Sequence, residues 1–285
     1  MSCSIHYIIF NFVVKPRLSK CVKQARKKIR MDKTRVSIVS YLNSKPFLHG
    51  LRNSLVANQI ELSLDIPSKV AAKLAYKQAD VGLIPVAGLE DLDDYRIISD
   101  YCIGSVGKVK TVVLVSDVPL GEIETVLMDY QSRSSVLLAK VLAKFYWKKS
   151  FKWENTCNNF QNVSIKGNTA GIIIGDRVFD VEDNFKYIYD LSEEWYNYTR
   201  LPFVFAVWAA SGKVSASFET EFNKALAFGI KKIAEIKKVE QSYYPNVNIA
   251  DYFKQNISFK LDDEKRTGMK KFLDLAGKLE LVELK

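Results

Sequence analysis

Two short stretches of this chain carry side chains suited to holding a small anion. The first is Ser40-Tyr41-Leu42-Asn43-Ser44-Lys45-Pro46, which follows the apolar run Val36-Ser37-Ile38-Val39 and precedes a helix-like segment. The second, Asp129-Tyr130-Gln131-Ser132-Arg133-Ser134-Ser135, comes about ninety residues later and has the same small polar character. A strand running into a helix aims free backbone N–H groups and short side chains at one spot, where a carboxylate or phosphate is well held. Two such junctions predict two lobes that close on one ligand.

Taken singly, the residues divide between chemistry and ordinary structure. Ser132, Ser134 and Ser135 cluster at a helix start, with Arg133 among them. Capping a helix takes one such residue, not three. The remaining hydroxyls are therefore candidate carboxylate binders, helped by a helix dipole worth about 0.3–1 kcal/mol. Arg133 is either a bidentate carboxylate clamp or a solvated first-turn residue. Asn43 is a candidate in the first junction, although Asn is also a common helix cap. Gly104-Ser105, read as a turn, would present an N–H and a hydroxyl to the cleft. Gly175-Asp176 ends a buried strand, where the glycine permits close backbone approach. Asp176 is either an acid/base or binding group, or the cap of the next helix.

The scarcity of other reactive residues removes whole classes of function. There are two histidines, His6 and His49, and His49 reads as a surface or satisfied residue. Cys3, Cys21, Cys102 and Cys157 show no metal-ligand spacing and suggest free thiols in a reducing compartment, hence a cytoplasmic protein. No metal site is expected. The sequence has no phosphate-binding P-loop, no dinucleotide fingerprint and no nucleophile elbow.

The elements that must position these residues alternate in type. Strand-like 36–39, helix-like 44–53, strand 60–64, an Ala-rich helix opened by Pro67, and strand 80–86 make a βαβαβ unit, which predicts a mostly parallel sheet covered by helices. A smaller set lies between the apolar runs Val112-Val113-Leu114-Val115 and Phe203-Val204-Phe205-Ala206-Val207-Trp208. It consists of strand 124–128, helix 134–147, a strand near 151–154 and strand 171–174. Phe218, Phe222, Leu226, Ile230 and Ile233 mark one face of a long helix, and helices near 249–255 and 263–277 follow. The expected layout is α/β: a first lobe of residues 31–115 plus 208–285, with a second lobe of 116–207 inserted and two crossing segments acting as a hinge.

The formal charge of +10 misleads about partners. Residues 1–30 hold eight Lys/Arg and no acid, so +2 remains for residues 31–285. Nucleic-acid binding is not expected from so neutral a body. In the leader the apolar stretch Ile5 to Val14 precedes the positive charge, the reverse of a secretory signal. It reads as an extension upstream of a natural start at Met31, poorly ordered or locally helical. The competing reading is a peripheral membrane anchor. No apolar run reaches the length of a membrane span, so stable membrane insertion is not expected.

On these residues the chain resembles the chorismate dehydratase family of the futalosine route to menaquinone. The matching blocks are Val39 to Pro46, Ala79 to Val86, Asp100 to Ser105, Ser132 to Ser135, Ile174-Gly175-Asp176, and Asp190 to Trp195 followed by Leu201 to Ala210. They cover residues 35–210 in order; the later helices match in pattern only. The resemblance implies a two-lobe type II periplasmic-binding-protein-like fold with a ligand cleft between the lobes. It implies removal of water from chorismate, giving 3-[(1-carboxyvinyl)oxy]benzoate, with no metal or organic cofactor. It makes Asn43 the key catalytic residue; Ser105, Ser132, Ser134 and Ser135 are then expected to bind the substrate carboxylates, with Arg133 and Asp176, singled out by position above, as further candidate contacts. The expected partner is chorismate; a homodimer is left open. Two alternatives stand beside this. One is a non-catalytic solute-binding protein for a small carboxylate. The other is the related dihydroxynaphthoate-forming enzyme, whose family relies on an active-site histidine that only His49 could supply here.

Overall fold

A computed structural model describes residues 33–156, 165–181 and 184–283. The leader of residues 1–30, with both of its readings, lies outside them. The strands run β1 Thr34–Val39, β2 Ile60–Asp65, β3 Val81–Pro85, β4 Arg96–Ser105, β5 Val112–Ser116, β6 Thr125–Met128, β7 Lys152–Asn155, β8 Thr169–Ile174, β9 Tyr187–Asp190, β10 Phe203–Ala210 and β11 Ser258–Lys260. They form two sheets, ordered β11-β4-β10-β3-β1-β2 and β7-β6-β8-β5-β9. In each sheet a parallel βαβ core is joined by antiparallel strands: β10 against β3 and β4 in the first, β5 against β8 and β9 in the second. The sheets are therefore mixed rather than mostly parallel. A chain that leaves one sheet and returns to it re-enters in the opposite direction.

The strands also place the crossings. Val112–Ser116 pairs within the second sheet and Phe203–Ala210 within the first. The chain thus crosses between Ser105 and Val112, and returns between Asp190 and Phe203. The boundaries at 115/116 and 207/208 had put both apolar runs on the wrong side, because a run buried on both faces fits either sheet equally well. The 104–105 pair, expected as a turn, is the end of strand β4.

Helix α1, Lys45–Arg52, starts directly after the Asn43 turn. It buries Phe47, Leu48 and Leu51, and the Phe47 ring meets Trp208 of β10 edge-on at 5.8 Å. Pro46 fits the first turn, where its missing N–H costs nothing. Helix α2 is Pro67–Ala75, α3 is Arg133–Val141, and α4 is Leu191–Thr199. The long helix expected after 215 divides into α5, Ala216–Lys231, and α6, Ile233–Glu240; the chain ends in α7, Asp263–Glu283.

Helices α1 and α5 cross with their backbones touching. A Cβ on Gly50 would sit 2.0 Å from the Ala225 carbonyl oxygen, and one on Gly229 would sit 1.8 Å from that of Pro46. No rotamer relieves a clash with main chain. Gly229→Ala is therefore expected to lower stability by roughly 3 kcal/mol, the upper part of the overpacking range. Urea denaturation reads this directly, and a loss under about 0.5 kcal/mol would show that the helices separate freely. The contact matters for the site because it fixes the helix that grows from the Asn43 turn.

Candidate active site

The two junctions meet. Strand β1 ends at Val39, and the chain turns through Tyr41 into the 3-10 segment Leu42–Ser44 and then α1. The Ser44 hydroxyl holds this turn from inside, donating to the Val39 and Tyr41 carbonyls at 2.6 and 2.8 Å. From the other sheet, Asp176 holds it from outside. Its carboxylate accepts the Leu42 N–H at 3.0 Å and the Tyr244 hydroxyl at 2.6 Å. Burial pushes the Asp176 carboxyl up, while the Tyr244 and Leu42 donors pull it back. The residue next to Asn43 is thus fastened across the gap between the sheets.

Facing this turn is the start of α3. Ser132 caps the helix; its Oγ accepts the Ser135 N–H at 3.3 Å and lies 3.0 Å from the Ser135 hydroxyl. Asn43, Ser132 and Ser135 line one cleft, together with Tyr41 and Thr111 as its other polar side chains. Val39, Leu83, Ile103, Ile174 and Phe205 are among its apolar walls. The cavity between the walls has a volume of about 60 Å³, room for a few water molecules. Small-molecule pockets run to roughly 300–1,000 Å³, so a ring-sized ligand enters this cleft as the two sheets draw apart. Asn43 Oδ1 is buried without a partner, while the Asn43 side chain reaches the Tyr252 hydroxyl, which also lies 3.1 Å from Thr111 Oγ1. An acceptor left idle in an apolar cleft is costly unless a ligand donor meets it. None of the side chains lining this cleft is a carboxylate, an imidazole or an amine.

The other expected contacts lie elsewhere. Ser134 Oγ accepts the Ala87 N–H at 3.0 Å, fastening the start of α3 to the segment after β3. Arg133 pairs with Asp91 and is largely exposed. Helical spacing explains the split: positions 132 and 135 share a face, whereas 133 and 134 turn away. Ser105 is fully buried at the first crossing, its hydroxyl 2.6 Å from that of Ser192 at the second. Asp176 acts through the turn that it clamps. His49 stacks on Phe228 with ring centroids 6.0 Å apart, away from the cleft. Among the described residues no group of histidine, cysteine, aspartate and glutamate could hold a metal ion.

Sequence reasoning missed Tyr41, Thr111 and Tyr252. Tyr41 stands inside the first junction, yet a tyrosine there reads as core. Its ring lies against Gly175, whose φ of +66° and closeness (a Cβ would meet the ring at 3.0 Å) leave room for glycine alone. Its hydroxyl donates to Gln131, so the ring spans the cleft from one sheet to the other.

Two sheets joined by two crossings, with a small cleft between them, define the class of periplasmic-binding-protein-like two-lobe folds. The profile of the menaquinone biosynthesis family matches residues 34–278, and the chain belongs to that family. A curated relative, the chorismate dehydratase of Thermus thermophilus, is 23% identical over 265 residues, covering 83% of this chain and 93% of that protein. Among solved structures, an Archaeoglobus fulgidus protein superposes with a TM-score of 0.69 at 16% identity, covering 89% of this chain and 100% of that one. A Candida albicans protein with the generic periplasmic binding protein fold gives 0.62 at 16% identity, over 86% and 90% of the two chains.

Proposed function

We propose that this protein dehydrates chorismate to 3-[(1-carboxyvinyl)oxy]benzoate within menaquinone biosynthesis. The observation that carries this reading is the buried, unpartnered Asn43 Oδ1 in the same closed cleft as the Ser132–Ser135 hydroxyl pair. The family match and the T. thermophilus dehydratase support the choice of substrate.

The mechanism follows from what the walls offer. A substrate carboxylate sits at the start of α3, where two hydroxyls and the helix dipole favour it. Asn43 Oδ1 accepts the hydrogen of the ring hydroxyl and fixes that group. An amide does not remove a proton near neutral pH, and the lining supplies no other base. The proton on the ether-bearing carbon therefore passes to one of the substrate's own carboxylates, held within reach by the closed cleft. As the neighbouring C–O bond breaks, that proton leaves with the hydroxyl as water and the ring becomes aromatic. Aromatisation supplies the driving force, so a positioning site suffices, and no external cofactor enters. The crossings act as the hinge that opens and shuts the cleft. The same reading makes the protein a cytoplasmic enzyme. Among the described residues no helix is long and apolar enough to cross a membrane, and Cys102 is a buried free thiol whose pKa burial pushes up to about 12.

The test is the ultraviolet spectrum of chorismate incubated with the purified protein and a chelator. A rising benzoate-like absorption is expected. Unchanged chorismate that nevertheless binds would make the protein a solute binder instead. Asp176→Ala, which frees the turn carrying Asn43, is expected to lower kcat by roughly a hundredfold with KM little altered. A change in KM alone would give Asp176 a direct role in binding.

A further inference from the structure

We propose that Arg177 makes the mouth of the cleft a second anion subsite, taking the outer carboxylate of a small dicarboxylate whose inner carboxylate rests at Ser132 and Ser135. The inference rests on reading the cleft as a small-carboxylate site. Arg177 stands on the 3-10 turn Gly175–Asp180 that follows β8. Its Nη2 donates to Asp129 at 2.6 Å, and its guanidinium lies 5.4 Å over the Tyr130 ring. Nε and Nη1 are buried with no partner. Buried donors of a charged group are costly to leave idle, and a planar guanidinium is the group best shaped to receive a carboxylate.

Arg177 lines an open, largely apolar chamber together with Ser40, Tyr41, Leu64, Ile66, Lys69 and Gln131. Tyr41 lines this chamber and the inner cleft alike, and with Gln131, its hydrogen-bond partner and the neighbour of Ser132 in sequence, it stands at the boundary between the two spaces. The two carboxylates on the chamber wall are already committed. Asp65 is held by Lys73, Lys69 and the hydroxyls of Ser37 and Ser63, and Asp176 by Leu42 and Tyr244. The lining of the inner cleft contains no cationic side chain. A dianion seated there would have one charge held by hydroxyls and its second met by Arg177 at the mouth.

Calorimetric titration of the full chain with benzoate, isophthalate and inorganic phosphate tests this. Isophthalate is expected to bind at least about tenfold tighter than benzoate, the worth of one charge-assisted contact. Arg177→Gln should erase that margin and leave benzoate affinity unchanged. Because this variant strands the buried Asp129 carboxylate, the double variant Asp129→Asn/Arg177→Gln should be tested beside it, with the same loss expected. An isophthalate margin that is absent in the wild type, or that survives in both folded variants, overturns the proposal, as does failure to bind either acid. Phosphate binding that depends on Arg177 without any isophthalate preference overturns the assignment to carboxylates. These acids do not react, so the subsite can fail while chorismate turnover stands, and turnover can fail while the subsite stands.

Discussion

Asn43→Ala is expected to lower kcat for chorismate by roughly a hundredfold, the cost of losing the placement of a reacting group. Chorismate affinity should change only a few-fold, because the proposed carboxylate contacts are Ser132 and Ser135, which line the same cleft. The size of the effect follows from where the amide stands. Its oxygen is buried and idle in a largely apolar space. Its turn is clamped by Ser44 from within and by Asp176 from the opposite sheet. A group fixed in this way spends little entropy when it meets the substrate hydroxyl. Steady-state kinetics beside equilibrium binding separate the two effects. Wild-type kcat in the variant would remove Asn43 from the chemistry, and a loss confined to affinity would make it a binding residue.

The second large effect is on the hinge. Asp190 caps α4 at the return crossing and reaches back to the outward one. Its carboxylate accepts the N–H groups of Val109 and Lys110, at 3.0 and 2.6 Å, and those of Ser192 and Glu193, at 3.0 and 3.1 Å. Burial pushes its carboxyl up to about 6, against the pull of these four donors. Asp190→Ala leaves all four without their acceptor, and those of Val109 and Ser192 are buried. Leaving a buried donor unmet costs about 1–3 kcal/mol, so a total loss of roughly 3–5 kcal/mol is expected. For a chain of this size that is a fall in Tm of roughly 5–8 °C. Asp190→Asn, which keeps one acceptor oxygen, should fall between the two. Thermal unfolding followed by circular dichroism measures both. A shift below about 2 °C for the alanine variant would mean that the crossings are held by packing alone.

Much of the fold was legible because its signals are local. The βαβαβ alternation from Val36 to Val86 and the Ala-rich helix opened by Pro67 follow from residue types alone. The side of the hinge on which a strand falls did not, since Val112–Ser116 and Phe203–Ala210 are apolar on both faces and carry no mark of their sheet. The site was half legible. Asn43, Ser132 and Ser135 were named and meet in one cleft. Ser105 and Ser134 have the right chemistry but serve the scaffold, and only the tertiary structure shows that Ser192 and Ala87 use them. Asp176 was read as a ligand contact or the cap of the helix that follows it. It instead clamps the Leu42–Ser44 segment of the other sheet, a partner 134 residues away that no local pattern reveals. Arg177 gave no signal at all, because an exposed arginine and a half-satisfied buried one look alike in sequence.

The central claim is that one amide and two hydroxyls in a largely apolar cleft suffice to turn chorismate into an aromatic ether. Proton NMR of chorismate incubated with the purified chain and a chelator tests it most directly. The account predicts that ring signals move into the aromatic region while both vinyl protons of the carboxyvinyl ether persist. Release of pyruvate, or chorismate left intact by protein that binds it, would contradict the account.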